Sequence, residues 1–266
     1  MHVHIDDVQA VEISPGVVER VFMEPKPDKP LDRVGAKHYV LTKGGTVVFD
    51  EPMTEFQHYI VSGCALIGRR LVYQDTGIFM PAGTHNPADQ KRGLRRHSIT
   101  NVGEGETRVF TLAYKVPRPA FRWAKSRSKN LYQVLTPHQT DMGYTQLFTE
   151  EEHAVMGALR MHAVDMQTHS GHTHKHRIDK KTGKRIGGRN PEEAIYILRG
   201  TGETLFEGVV KPVRPGSFCW TPEGGEHGIY NTTDDILQYI CMEFIHHDEC
   251  WTEREYQGEK SPTPWT

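Results

Sequence analysis

The stretch THSGHTHKH (Thr168–His176) is followed by NPEEAIYILRGTGE (Asn190–Glu203) and RPGSFCWTPEGGEHGIYN (Arg214–Asn231). Side chains two apart on a strand share a face, so His172, His174 and His176 present imidazoles to one side. A His-x-His pair, a carboxylate from the next strand and a third histidine from a later strand make a four-ligand site for a divalent metal. Such a site keeps positions open for substrate or dioxygen. The chain has 16 histidines, and five of them (His162, His169, His172, His174, His176) fall within fifteen residues, a cluster that scattered surface histidines do not explain.

Outward from this stretch, the chain is a succession of short alternating or β-branched runs punctuated by Gly, Pro, Asn and Asp. Examples are YVLTKGGTVVFD, QHYIVSGCALIG, TRVFTLAYKV and ILQYICMEFI. The expectation is many strands joined by tight turns, an all-β fold with few short helices. The one helix that stands out is brief, with Thr149 and Glu152 as a capping box and Gly157 as its stop. Two segments repeat. HYIVSGCALIG around Tyr59 and Gly63 matches IYILRGTGETL around Tyr196 and Gly200. Gly77–Gly83 answers Gly216–Gly224, and His97 to Asn101 answers His227 to Asn231. Three anchors in the same order mark a duplicated β unit.

These motifs resemble the cupin superfamily, whose first motif runs His-x-His, then Glu, then six residues and Gly. Glu193 and Gly200 have that spacing, and Pro222, Gly224, His227 and Asn231 match the second motif, Pro-x-Gly-x-x-His-x-x-x-Asn. The resemblance implies jelly-roll β-barrels in tandem. It also implies metal ligands at Glu193, His227 and two of His172, His174 and His176. The insertion HRIDKKTGKRIGGRNPE, longer than the family's usual spacing, leaves the pairs His172/His174 and His174/His176 both open. Its KKTGK and GG read as a hairpin tip. Its bases, Arg177, Lys180, Lys181, Lys184, Arg185 and Arg189, with Lys175 just before it, outnumber its acids, Asp179 and Glu192, and suit either a solvated loop or a rim that attracts an anion.

In the first half, Phe56 stands where Glu193 does in the second, no His-x-His lies in the run just before it, and only His97 keeps its motif counterpart. The expected organisation is a degenerate barrel over residues 1–117, a linker over 118–148 and a metal-binding barrel over 149–266. His58 and His85 are the residues from which an irregular second site in the first barrel would be built. The basic, aromatic segment around Arg118, Phe121, Arg122, Trp123, Lys125, Arg127 and Lys129 reads as a surface connection.

Net charge is −2, from 32 Lys+Arg against 34 Asp+Glu, so no global basic field favours nucleic acid. Apolar runs are of strand length, no signal-peptide pattern is present at the start, and the four cysteines show no CxxC spacing. The expectation is a cytoplasmic protein without membrane or nucleic-acid partners. There is no G-x-S-x-G elbow, Walker A loop or Rossmann fingerprint. The resemblance implies one divalent metal per chain, Fe(II) first, with Mn(II), Zn(II) or Ni(II) as alternatives. The leading functional expectation is an Fe(II) dioxygenase that oxidises a small anionic aromatic or enolic substrate with O2. A Mn-, Zn- or Ni-dependent hydrolase, lyase or isomerase and a noncatalytic ligand-binding barrel are the alternatives. A homodimer is expected from the resemblance, and no general acid or base is identified.

Overall fold

A computed structural model describes residues 1–24, 34–83, 88, 95–115, 126–133, 138–140, 143–147, 159–175, 177–178, 185–186, 192–206, 208–221 and 225–244. Most of these lie in strands, as the alternating runs imply, and they fall into two compact units. One is Val8–Leu135, here the first unit; the other joins Met1–Asp7 to Thr136–Thr266 and is the second unit.

The chain starts with β1 (His2–His4), which belongs to the second unit, and a short 3-10 turn at Ile5–Asp7. The first unit then runs through β2 (Val11–Ser14), β3 (Val17–Met23), β4 (Val34–Leu41), β5 (Thr46–Phe49), β6 (Thr54–Ser62), β7 (Cys64–Ile67), β8 (Arg70–Tyr73), β9 (Thr76–Met80), β10 (His97–Asn101), β11 (Thr107–Lys115) and β12 (Arg127–Asn130). It forms a seven-stranded sheet, β12-β9-β6-β11-β4-β3-β2, and a four-stranded sheet, β5-β10-β7-β8. Val17, Leu41, Phe56, Ile60, Ile78 and Val109 from the larger sheet meet Val47, Phe49, Ile67, Val72 and Ile99 from the smaller one in a single apolar core. Two sheets closed face to face over such a core are a jelly roll.

The second unit adds β13 (His138–Thr140), β14 (Gly143–Leu147), β15 (Leu159–Met166), β16 (Ser170–Lys175), β17 (Arg177–Ile178), β18 (Arg185–Ile186), β19 (Glu192–Arg199), β20 (Gly202–Phe206), β21 (Val209–Val213), β22 (Ser217–Thr221), β23 (Glu226–Asn231) and β24 (Leu237–Phe244). Its sheets, β1-β22-β19-β24-β15-β14-β13 and β16-β23-β20-β21, reproduce those of the first unit strand for strand. The duplication read from three anchors therefore extends to the topology. Ladder register corrects one anchor. Phe56 pairs with Met80 and Glu193 with Thr221, so Gly216 corresponds to Asp75 and not to Gly77. Both of these residues have positive φ, 62° at Asp75 and 90° at Gly216.

The unit boundaries also differ from the expected 1–117, 118–148 and 149–266. Strand β1 pairs with β22 (Val3 opposite Phe218), and β12, inside the expected linker, pairs with β9 (Ser128 opposite Ile78). Each strand fills the same edge position in its sheet. Neither has a composition that sets it apart, because an edge strand is held by backbone hydrogen bonds that any sequence can make. The expected helix at 149–157 lies outside the described residues. Within the insertion, β17 and β18 pair antiparallel, Arg177 opposite Ile186, while KKTGK and GG, read as a hairpin tip, lie outside the described residues. No helix among the described residues is long and apolar enough to cross a membrane.

Two residues of the repeated motif are explained by turns. Gly200 has φ +75°, and a Cβ there would lie 2.4 Å from the Ile236 carbonyl oxygen; its counterpart Gly63, at φ +86°, would meet the Glu106 carbonyl at 2.6 Å. Only glycine fits either position. The asparagines clamp loops. Asn101 Nδ2 donates to the carbonyls of Leu41 (2.8 Å) and Gly105 (2.7 Å), while its Oδ1 accepts from Gly103 N and Thr107 Oγ1. Asn231 does the same, donating to Met166 and Asp235 carbonyls and accepting from Thr233 N and Oγ1. Replacing either by Ala leaves several buried backbone groups without partners, so Asn101→Ala and Asn231→Ala are each expected to cost about 2–4 kcal/mol in denaturant unfolding.

Candidate metal centre

Strand β19 brings Glu193 to the interior of the second unit, where it is 5% exposed, and β23 brings His227 beside it at 4%. Their side chains meet, with His227 Nε2 3.0 Å from Glu193 Oε2. The other ring nitrogen, Nδ1, lies 3.1 Å from the Gly225 carbonyl oxygen. A carbonyl only accepts, so Nδ1 carries a proton. A proton on Nε2 makes the contact an imidazolium–carboxylate ion pair, and the same two atoms, an imidazole nitrogen and a carboxylate oxygen, are donors of the kind that a divalent metal takes. Cys241 on β24 lies against the carboxylate as well, its Sγ 3.2 Å from Glu193 Oε1.

The His-x-His segment lies on β16, hydrogen-bonded to β23 with His174 opposite His227 and His172 opposite Ile229. Partners across an antiparallel ladder share a sheet face. Thr173, between them, is exposed, and Ile229 is 1% exposed, so positions 172 and 174 belong to the face that carries His227. His176 lies outside the described residues, as do Pro222 and Gly224 of the second motif. Among the described residues, no group of three or more His, Cys, Asp or Glu side chains is arranged to hold a metal. Glu193 and His227 are the part of the expected ligand set whose side chains are described. Around them Ile195, Ile197, Val213, Ile229, Leu237 and Tyr239 form an apolar wall. Burial, with Cys241 and Glu193 nearby, holds the Tyr239 hydroxyl well above its ordinary pKa, so it stays protonated.

The same positions in the first unit carry a different solution. Register equates Phe49 with His174, Val47 with His172, Phe56 with Glu193 and His97 with His227. The rings of Phe49 and Phe56 lie 5.2 Å apart, and Phe49 stacks on His97 at 4.9 Å. His58, the counterpart of Ile195, fills the gap, its Nε2 2.8 Å from His97 Nε2 and its Nδ1 2.9 Å from Thr111 Oγ1. His97 Nδ1 donates to the Arg95 carbonyl at 3.0 Å. The proton count therefore closes with neutral rings: Thr111 donates to His58, His58 to His97 and His97 to Arg95. No cation is called for. The sequence points to His58 but pairs it with His85, which lies outside the described residues. Its partner His97 is visible in the sequence only as a motif remnant, because the signal that joins the two is a cross-strand register.

Burial lowers the pKa of His58 well below 6.5 and, with the nearby Arg95 guanidinium adding to it against a backbone hydrogen bond, that of His97 to about 4. Burial, then Arg20 and Arg108, lowers His38 in the same unit to about 3. Unfolded histidines titrate near 6.5, so between about 4 and 6.5 the unfolded chain binds more protons and stability falls as pH falls. Thermal unfolding followed from pH 7 to pH 4 is expected to show this loss in the first unit, with a shallower slope in His97→Phe.

Residues 188–243 match the family model described as Cupin domain, a span that includes Glu193, Gly200, His227, Asn231 and Cys241. No curated protein matches the chain in sequence. Among solved structures, protein Ylba from E. coli, assigned to the family model DUF861, is similar at 15% identity over 93% of this chain and 91% of that one, with a TM-score of 0.69. A single-residue mutant of Bacillus subtilis oxalate decarboxylase is similar at 12% identity over 93% and 78%, with a TM-score of 0.66. A structure of the same decarboxylase, from work on its Mn(II) centres, has a TM-score of 0.65 at 12% identity over 93% and 78%. Identities this low speak for the fold alone. The segment that holds Glu193, His227 and Cys241 thus matches the Cupin domain model, and the chain around it has an all-β jelly-roll fold similar to that of these solved structures.

Proposed function

We propose that the chain is a two-barrel, metal-dependent cupin enzyme that holds one divalent metal in its second unit through Glu193, His227 and a His-x-His pair, taken as His172 and His174. The observation that carries this reading is the contact of an imidazole nitrogen and a carboxylate oxygen, His227 Nε2 and Glu193 Oε2, at 3.0 Å in a buried site. The register of His174 with His227 supports it, and His174 belongs to either alternative for the pair. The first unit, with its neutral histidine chain, has a structural role.

When bound, the metal supplies a Lewis-acidic centre with about two positions open to substrate oxygen atoms and, for iron, to dioxygen. Glu193 and the histidines fix where that centre lies and offset its charge. Ile195, Ile197 and Ile229 keep water from it, which strengthens each electrostatic contact inside. Arg177 and Arg185, on paired strands of the insertion, add to a basic segment that draws anions towards the unit. The reaction proposed first is Fe(II)-dependent dioxygenation of a small anionic aromatic or enolic substrate that chelates the metal. Fold likeness to a decarboxylase with Mn(II) centres favours a second reading, a Mn(II)-dependent lyase of a small carboxylate. The partner in either case is a small molecule, and the assembly proposed is a homodimer.

Elemental analysis of anaerobically purified protein tests the reading. About one iron per chain with oxygen uptake on phenolic or enolic acids supports the dioxygenase. Manganese, with turnover that consumes no net oxygen, supports the lyase. Glu193→Ala and His227→Ala are each expected to lose the metal while keeping the far-ultraviolet circular dichroism of the parent; full metal content in both variants overturns the site.

A further inference from the structure

We infer that Cys241 is a positioning residue that orients the Glu193 carboxylate for metal binding; the inference rests on the metal-centre reading above. Glu193 has two oxygens and each is engaged differently. Oε2 faces His227 Nε2 at 3.0 Å, and Oε1 faces Cys241 Sγ at 3.2 Å. A carboxylate only accepts, so the thiol donates. A carboxylate held by one oxygen cannot spin freely about its terminal torsion, and its second oxygen stays directed at the place where the cation belongs. A thiol is a weak donor, so it fixes the group while drawing little charge from it.

Packing alone does not account for this placement. In the ladder between β19 and β24, Cys241 is opposite Ile195, while Glu193 is opposite Glu243. The thiol therefore reaches diagonally along the shared face to the carboxylate. Cys219 flanks Ile195 from the other side, on β22, but its thiol is directed to Thr204 Oγ1 at 3.9 Å. The first unit supplies an independent parallel. Thr111 holds the position of Cys241, opposite His58, and its hydroxyl is 2.9 Å from His58 Nδ1. In both units this ladder position bears a small donor that grips the inner polar group, and that group in turn meets the histidine of β10 or β23. A residue chosen only to fill space would be Ala or Val in either place.

The test is metal affinity in the full-length chain, by competition of Mn(II) or Fe(II) against a chelator, for the parent, Cys241→Ala, Cys241→Val and Cys241→Ser. Loss of an outer partner of a metal ligand typically weakens binding about 10- to 100-fold. Cys241→Ala and Cys241→Val are expected to fall in that range, with Cys241→Ser restored to within a few-fold of the parent and Cys219→Ala unchanged. Melting of the metal-free variants separates this from a packing defect: rescue by Ser in affinity, at equal metal-free stability, is not what a cavity produces. Co(II) loading adds a spectroscopic readout. The parent is expected to lack an intense sulfur-to-cobalt charge-transfer band, and a band that vanishes in Cys241→Ala would make the thiol a ligand and overturn the positioning role. Parent protein that binds metal only as tightly as both donor-less variants overturns this inference alone, whereas a parent that takes up no metal overturns the metal-centre reading itself.

Discussion

A buried imidazole whose Nδ1 proton is committed to a backbone carbonyl must find something for its Nε2 lone pair, and both halves of this chain are arranged around that requirement. In the second unit Nε2 of His227 faces the Glu193 carboxylate. In the first unit Nε2 of His97 faces the N–H of His58, and nothing is missing. Burial makes the difference decisive, because an unmatched lone pair or charge away from water costs several kcal/mol. One unit sets the histidine against a carboxylate, a pairing that suits the proposed metal, and the other sets it against a second ring.

The duplication shows how little of the framework this change needed. Both units keep the seven- and four-stranded sheets, the asparagine that ties its loop and the glycine in the turn after β6 or β19. Phe56 and Phe49 stand where Glu193 and His174 do, and the first unit's inner polar group is His58, held by Thr111. The aromatic rings stack on the histidines, Phe49 on His97 and Phe56 on His58. Such a core is stable because its volume is filled and its polar groups are satisfied.

Much of the fold was legible because strand propensity, turn residues and a repeated order of anchors all act locally. The alternation in TRVFTLAYK, the positive-φ glycines and the paired His-x-x-x-Asn spacings each follow from the geometry of a few neighbouring residues. The edge strands β1 and β12 were not legible, since their place depends on backbone pairing with β22 and β9 far away in sequence. Gly77 was matched to Gly216 because residue type stood in for register. Only the ladders revealed Asp75 as the true counterpart.

For the site, the sequence by itself determined which residue types stand at which spacing: Glu193, Gly200, His227 and Asn231, with histidines at 172, 174 and 176. Period-two geometry and motif spacing suffice for that, because both are properties of one strand. Tertiary structure alone decided which atoms meet. It set His227 Nε2 against Glu193 Oε2, brought the Cys241 thiol to the other oxygen, and joined His58 to His97 across 39 residues of chain. Those contacts join strands brought together by sheet register and closure, and register is fixed by burial of a whole face and not by any local run of residues.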